Sequence, residues 1–452
     1  MSLGDRLRRL AVHAGALACL LFFLPSAASA LAIERVVSPG GIEAWLARDA
    51  SVPVIAVEIA FRESGSAGDP AGKEGLAYLV SGLLDEGAGP MDSQAFREAL
   101  EKQAISLSFD ANLDDFLGSL KTLRENHVAA FDLFRLALSE PRFDQDAVAR
   151  IRNQVLTTIA ARLDDPDATA QRAWLRTVFP DHPYGKPQQG TAASVEAVVA
   201  KDLRAFVGRN LARDNLIIGV AGDITAAELA PLLDRTFGAL PAHRPEATPI
   251  PETKAKGEGA ETVIEKPIPQ SVVVFGQAGV KRDDPDYYAA QVLNHILGGG
   301  GLQSRLAKEI RGARGLAYAV STYLYPLDRA GLWVGQLATR NDRVKESLDL
   351  LRAEWKRMAE TPVTKEELED AKTYITGAFP LSLDSTGRIA SVLLAIQKYH
   401  LGIDYFERRN AYIAAVSADD LRRLAKRLLN PDALAVVVVG SPKGLAAPGA
   451  AE

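Results

Sequence analysis

Read for its apolar and polar positions, the chain repeats itself. Residues 52–61 (Val-Pro-Val-Ile-Ala-Val-Glu-Ile-Ala-Phe) form an apolar run of strand length, and residues 271–276 (Ser-Val-Val-Val-Phe-Gly) form a second. Each is followed by apolar residues at helical spacing, near 74–86 and near 285–297. Longer helices are predicted over 142–163 and 344–360. A shift of 218 residues lays 202–222 on 420–440, and nine of the 21 ungapped positions are then identical. They are Asp202/Asp420, Leu203/Leu421, Arg204/Arg422, Arg209/Arg427, Leu211/Leu429, Asp214/Asp432, Leu216/Leu434, Val220/Val438 and Gly222/Gly440. Each copy predicts a helix, then an apolar strand ending in glycine. A repeat of this length marks a duplicated domain rather than a solenoid unit. The mixture of strands and long helices predicts an α+β fold, with helices packed on a mostly antiparallel sheet in each half.

The pattern also sets the boundaries. Residues 1–30 carry Arg6, Arg8 and Arg9, then an apolar run from Ala14 to Leu24, then Ala28-Ser29-Ala30. That is the layout of a cleaved secretory signal peptide. The run is too short for a spanning helix and no later segment is long enough, so no membrane span is expected. Residues 31–240 make the first domain. Residues 241–262, rich in Pro, Glu, Lys and Ala without apolar periodicity, are expected to be a linker. Residues 263–440 make the second domain, and 441–452 a disordered tail.

Composition narrows the function classes. The 452 residues carry a formal charge of −5, which becomes −7 when cleavage after Ala30 removes Asp5 and three arginines. A mildly acidic chain lacks the basic face of a nucleic-acid binder. The one cysteine, Cys19, lies inside the signal segment, so no disulfide is available to the mature chain. An exported protein without staples needs large cores, and a periplasmic location is expected. The mature chain has five histidines, His127, His182, His243, His295 and His400, and no two lie within five residues. No helical His pair is therefore available for a metal. Gly-x-Ser-x-Gly is absent, and the run Gly298–Gly301 lacks the Lys-Ser/Thr of a phosphate loop.

Several motifs together resemble those of the M16 peptidases, the pitrilysin-like family with an inverted zinc motif. His182-Pro183-Tyr184-Gly185-Lys186-Pro187 with Gly190-Thr191 resembles the family's HPYGxPxxGT segment, and Ala221-Gly222-Asp223 its strand end. Leu297-Gly298-Gly299-Gly300 and Ser304-Arg305-Leu306 resemble its glycine-rich loop and the helix start that follows. The segment from Arg311 to Tyr318 resembles the one that carries an Arg/Tyr pair. The resemblance spans nearly the whole mature chain. It implies two homologous domains that form one half of a clam-shell chamber.

In the family, H-x-x-E-H and a distal Glu supply the zinc ligands and the general base. Here Gly75-Leu76-Ala77-Tyr78-Leu79-Val80-Ser81-Gly82 stands at the motif, with Tyr78, Ser81 and Gly82 at the His, Glu and His positions. The distal Glu position falls on Thr158. None of these is a usual zinc ligand, so no cofactor is expected in this chain. The resemblance further implies that Arg311 binds a substrate carbonyl and that the Tyr318 hydroxyl stabilises an oxyanion. Residue chemistry alone reads them as a surface Arg and a packed strand Tyr. Gly312 and Gly315 between them would end a helix and start a strand. Gly298, Gly299, Gly300 and Gly301 are expected to form a mobile loop with exposed backbone groups; the resemblance implies that it contacts substrate or partner, and the alternative is a plain interdomain turn. The combined expectation is the non-zinc subunit of a heterodimeric periplasmic M16-type peptidase. Zinc and base would come from a sibling subunit, and the substrate would be a peptide or unfolded segment. A non-catalytic peptide-binding or scaffold protein of the same fold is the alternative.

Overall fold

The computed structural model describes residues 32–245 and 249–445. The expected signal peptide, 1–30, and the tail from 446 onward lie outside the described residues.

Eleven strands are described: β1 (Ile33–Val37), β2 (Glu43–Arg48), β3 (Val54–Phe61), β4 (Ser106–Ala111), β5 (Phe116–Leu123), β6 (Leu216–Gly222), β7 (Glu261–Glu265), β8 (Gln270–Ala278), β9 (Ala317–Pro326), β10 (Gly331–Arg340) and β11 (Ala435–Gly440). They form two sheets, ordered β1-β2-β6-β3-β5-β4 and β7-β11-β8-β10-β9. Apart from the extra edge strand β1, the second order repeats the first. Each sheet has one parallel pair, β2 with β6 and β7 with β11, and is otherwise antiparallel. The duplication is thus one of topology as well as sequence. The helix Ala200–Asn210 feeds β6 as the helix Ala418–Leu428 feeds β11. The repeated glycines have a physical cause. Gly222 and Gly440 hold φ of 121° and 155°, and a Cβ on Gly222 would sit 2.0 Å from the Val54 carbonyl oxygen.

Each half has its own apolar core between sheet and helices. A third apolar cluster joins the halves. The helix Pro166–Val178 of the first half lies on β8 and β11 of the second, while the helix Thr386–Lys398 of the second lies on β2, β3 and β6 of the first. Trp174 is buried in the first contact, and its indole N–H donates to the Ala435 carbonyl at 3.0 Å. Gln397 Nε2 donates to the Ile218 carbonyl at 2.9 Å in the second. Missing side chains permit both approaches. A Cβ on Gly276 would lie 2.7 Å from the Trp174 ring, and one on Gly219 would lie 2.4 Å from the Ala390 carbonyl oxygen.

The expected long helices appear as Gln145–Asp164 and Val344–Glu360. Three expectations need correction. The helix read near 74–86 is only Leu76–Ser81, because Gly82 ends it and turns follow. The expected linker is no free tether: Thr253 N–H donates to Arg329, Lys256 N–H to Val178, and Ile250 and Ala255 pack on the shared cluster. β7 begins at Glu261, inside its expected span. These residues lack periodicity because they cross between elements, yet their N–H groups still find partners. The expected tail is held at its start, where Ser441 Oγ donates to Lys266 and Lys443 N–H to Asn341. Among the described residues no single helix is long and apolar enough to cross a membrane.

Candidate functional site

The degenerate metal positions lie on the short helix Leu76–Ser81. Its first N–H groups are satisfied by Asp69, which accepts from Gly75 at 2.8 Å and Ala77 at 3.0 Å. Burial nevertheless pushes the Asp69 carboxyl up to about 7, with Glu74 adding repulsion. Tyr78 packs on the first core. Ser81 is buried and its hydroxyl donates to the Tyr78 carbonyl at 2.8 Å. Gly82 offers no side chain, and the space where one would start is bounded by Ile151 at 3.2 Å. Thr158 lies seven residues beyond Ile151 on the helix Gln145–Asp164, about 10 Å along its axis. Its hydroxyl donates to Gln154 at 2.9 Å. Two hydroxyls turned to their own helices, a packed tyrosine and a bare backbone do not fit a zinc ion. Among the described residues no group of three or more His, Cys, Asp or Glu could hold a metal.

The second half presents the other candidates. After the helix Tyr287–Asn294 the chain widens into a π turn at His295–Gly299, then a 3₁₀ turn at Gly301–Gln303. The glycine run is therefore helically wound rather than an open loop. Gly298 is buried against β9, where a Cβ would lie 2.5 Å from Thr322 Oγ1. A Cβ on Gly299 would meet Asn294, and one on Gly300 would meet His295. Gly298 and Gly300 are thus demanded by close packing, while the exposed Gly299 meets the movable end of a side chain. Gly301 instead holds φ of +58°. The His295 ring lies against Tyr374, 4.8 Å between centroids. Arg305 grips Glu367 with two hydrogen bonds of 2.7 Å. Against the upward push of burial, this guanidinium and the Thr364 N–H hold Glu367 down to about 2.

Arg311 lies on a second π-helical segment, Ala307–Ala313. The chain reverses at Gly315, with φ of +60°, and β9 opens at Ala317. This turn brings the seven-residue spacing back on itself. The Arg311 guanidinium carbon lies 4.8 Å from the Tyr318 ring centroid, a cation–π contact. Tyr318 is 83% exposed, and its hydroxyl makes no hydrogen bond to any described residue. It is therefore not the packed strand tyrosine of the residue-only reading.

The HPYG segment has a part that sequence reasoning missed. The buried Tyr184 hydroxyl donates to Asp114 and accepts from the Arg329 N–H at 3.0 Å. The Asp328 N–H donates to the other Asp114 oxygen at 3.1 Å. Lys398 pairs with Asp115 and with Asp328. Tyr184, Asp114 and Asp115 belong to the first half, and Asp328, Arg329 and Lys398 to the second. Burial and the nearby Asp328 charge raise Asp114 to about 6, against the Tyr184 hydrogen bond. The segment is thus a latch between the halves. Its only sequence signal was the motif itself, whose partners lie 70 and 145 residues away.

Known proteins resemble this chain in sequence and in fold. Residues 47–192 match the family described as insulinase (peptidase family M16), and residues 197–375 match the peptidase M16 inactive domain. The "Non-peptidase homolog YmxG" of Helicobacter pylori is 29% identical over 331 residues, 73% of this chain and 76% of that protein. An uncharacterized zinc protease of Rickettsia bellii is 26% identical over 83% of this chain and 90% of its own length. A solved M16 inactive-domain structure from Pseudomonas fluorescens superposes with a TM-score of 0.85 at 26% identity, covering 91% of this chain and 98% of its own. A protease structure from Helicobacter pylori, at 18% identity and a TM-score of 0.81, shares the fold. The two family models follow one another along most of the chain, so it belongs to peptidase family M16, as a two-domain member without the family's zinc motif.

Proposed function

We propose that this chain is the non-zinc subunit of a heterodimeric, periplasmic M16-type peptidase. Arg311 anchors a backbone carbonyl of an extended peptide. The Tyr318 hydroxyl donates to the oxyanion that forms as the scissile carbonyl is attacked, where a preorganised donor is worth most. The metal and general base belong to a sibling subunit with an intact H-x-x-E-H. The observation that carries this reading is the exposed Tyr318 ring held by Arg311, with its hydroxyl uncommitted. A tyrosine kept for packing would bury its ring. The glycine run that packs on β9 would contact peptide or sibling, as the family resemblance implies.

The test is reconstitution. The purified mature chain alone should not cleave casein, and a mixture with the sibling should. A sibling as active alone as in the mixture would remove this chain from catalysis. That result would favour a non-catalytic scaffold of the same fold, a reading that the name of the Helicobacter relative also favours.

A further inference from the structure

The two halves leave a cavity of about 370 Å³ between them, lined by none of the residues given a part in the proposed peptidase role. That volume suits a small ligand. Six Arg or Lys and four Asp or Glu line it. Most of these charges are already paired. Glu63 holds Arg244 and Arg329, Glu252 holds Arg329 and Lys281, and Lys398 sits between Asp115 and Asp328.

Two guanidiniums are not paired. Arg62 directly follows β3, and its side chain donates to no described residue. Its Nε is buried without a partner. Arg282 lies four residues after β8, the strand that takes the place of β3 in the second sheet. It makes no ion pair among the described residues, and its side-chain hydrogen bonds and closest ring contact are to tyrosines: the Tyr287 ring at 4.1 Å and the hydroxyls of Tyr288 and Tyr405 at 3.2 and 3.3 Å. Both arginines are half-buried, whereas Asp214 and Asp283, the lining carboxylates without an Arg or Lys partner, are exposed. The uncompensated charge away from solvent is therefore positive. A half-buried guanidinium with unmade hydrogen bonds is costly, and its planar fork matches an oxyanion.

From this geometry we infer that the cavity between the halves is a binding site for a small oxyanion group, a carboxylate or a phosphate, held by Arg62 from one half and Arg282 from the other. A bound anion would bridge the halves and so stabilise the folded chain. The inference does not depend on the peptidase reading, since neither arginine is near the Arg311/Tyr318 pair in sequence or serves it.

Calorimetric titration of the full mature chain tests it, at constant ionic strength with chloride as the balancing anion. The probes are inorganic phosphate, N-acetyl-trialanine with a free carboxylate, and the same peptide as its amide. Saturable binding of phosphate, or of the acid but not the amide, is expected, and the probe that binds identifies the source of the group. Arg62→Gln and Arg282→Gln should each weaken that binding about tenfold or more, the worth of a charge-assisted hydrogen bond. If a Gln variant does not fold, Arg62→Lys and Arg282→Lys keep the charge without the fork and should still bind more weakly than wild type. No saturable binding to the wild-type chain, or variants that bind as wild type does, would overturn the inference.

Discussion

The guanidinium of Arg311 lies 4.8 Å from the centre of the Tyr318 ring, and that ring is 83% exposed. The contact orients the tyrosine without burying it. Tyr318→Phe keeps the ring and the cation–π contact, so thermal stability should change by no more than about 0.5 kcal/mol. In the reconstituted heterodimer, kcat should fall about 10²–10³-fold with little change in KM. Arg311→Ala removes an anchor used in ground and transition states alike, so KM should rise as well. A Tyr318→Phe enzyme that keeps a large part of wild-type kcat would leave the hydroxyl without a catalytic part.

The Tyr78, Ser81, Gly82 and Thr158 positions predict a chain that holds no stoichiometric zinc. Elemental analysis of the dialysed mature protein measures this directly. One zinc per chain would point to ligands other than these and sink the division of labour between subunits.

The exchange of helices between the halves predicts one cooperative unfolding transition rather than two. Trp174→Ala empties the shared cluster and strands the Ala435 carbonyl, at a cost of about 3–5 kcal/mol. Gly219→Ala should also destabilise, since the new methyl would lie 2.4 Å from the Ala390 carbonyl oxygen. Urea melts followed by far-UV dichroism report both. A separate early transition confined to one half would contradict the shared core.

Stability should depend on pH in two separate windows. Asp69 and Asp114 are raised to about 7 and about 6, above an unfolded value near 3.9. Between those values the folded chain binds more protons than the unfolded one, so their contribution is full below about pH 4 and is lost as pH rises through 6 to 7. Glu367, held at about 2, acts in the opposite sense: its contribution is present above about pH 4.3 and lost as pH falls towards 2. Thermal melts from pH 3 to 8 should show a decline from about pH 4 to 7 that is smaller in Asp114→Asn. An unchanged slope in that variant would mean that Asp114 titrates normally.

The sequence by itself determined the duplication, the strands β3, β6, β8 and β11 and the long helices, and, through the family resemblance, the loss of the zinc ligands. Those are local properties: apolar period, helix length and the identity of a residue at a motif position. The nine identities between 202–222 and 420–440 fall on one helix–strand unit in each half. Local pattern could not decide what lies opposite an element. Nothing along the chain announces that Trp174 is buried on the other half's sheet, or that Tyr184 reaches Asp114 and Arg329. The glycine run 298–301 looks like a loop in one dimension, and only the approach of Thr322, Asn294 and His295 shows that it is wound and packed. The Arg311–Tyr318 contact needed both levels. The sequence set the seven-residue spacing, and the reversal at Gly315 with the opening of β9 turned that spacing into a face-to-ring contact exposed to solvent. Side-chain identity is written in the chain, whereas burial and partnership arise only when distant segments meet.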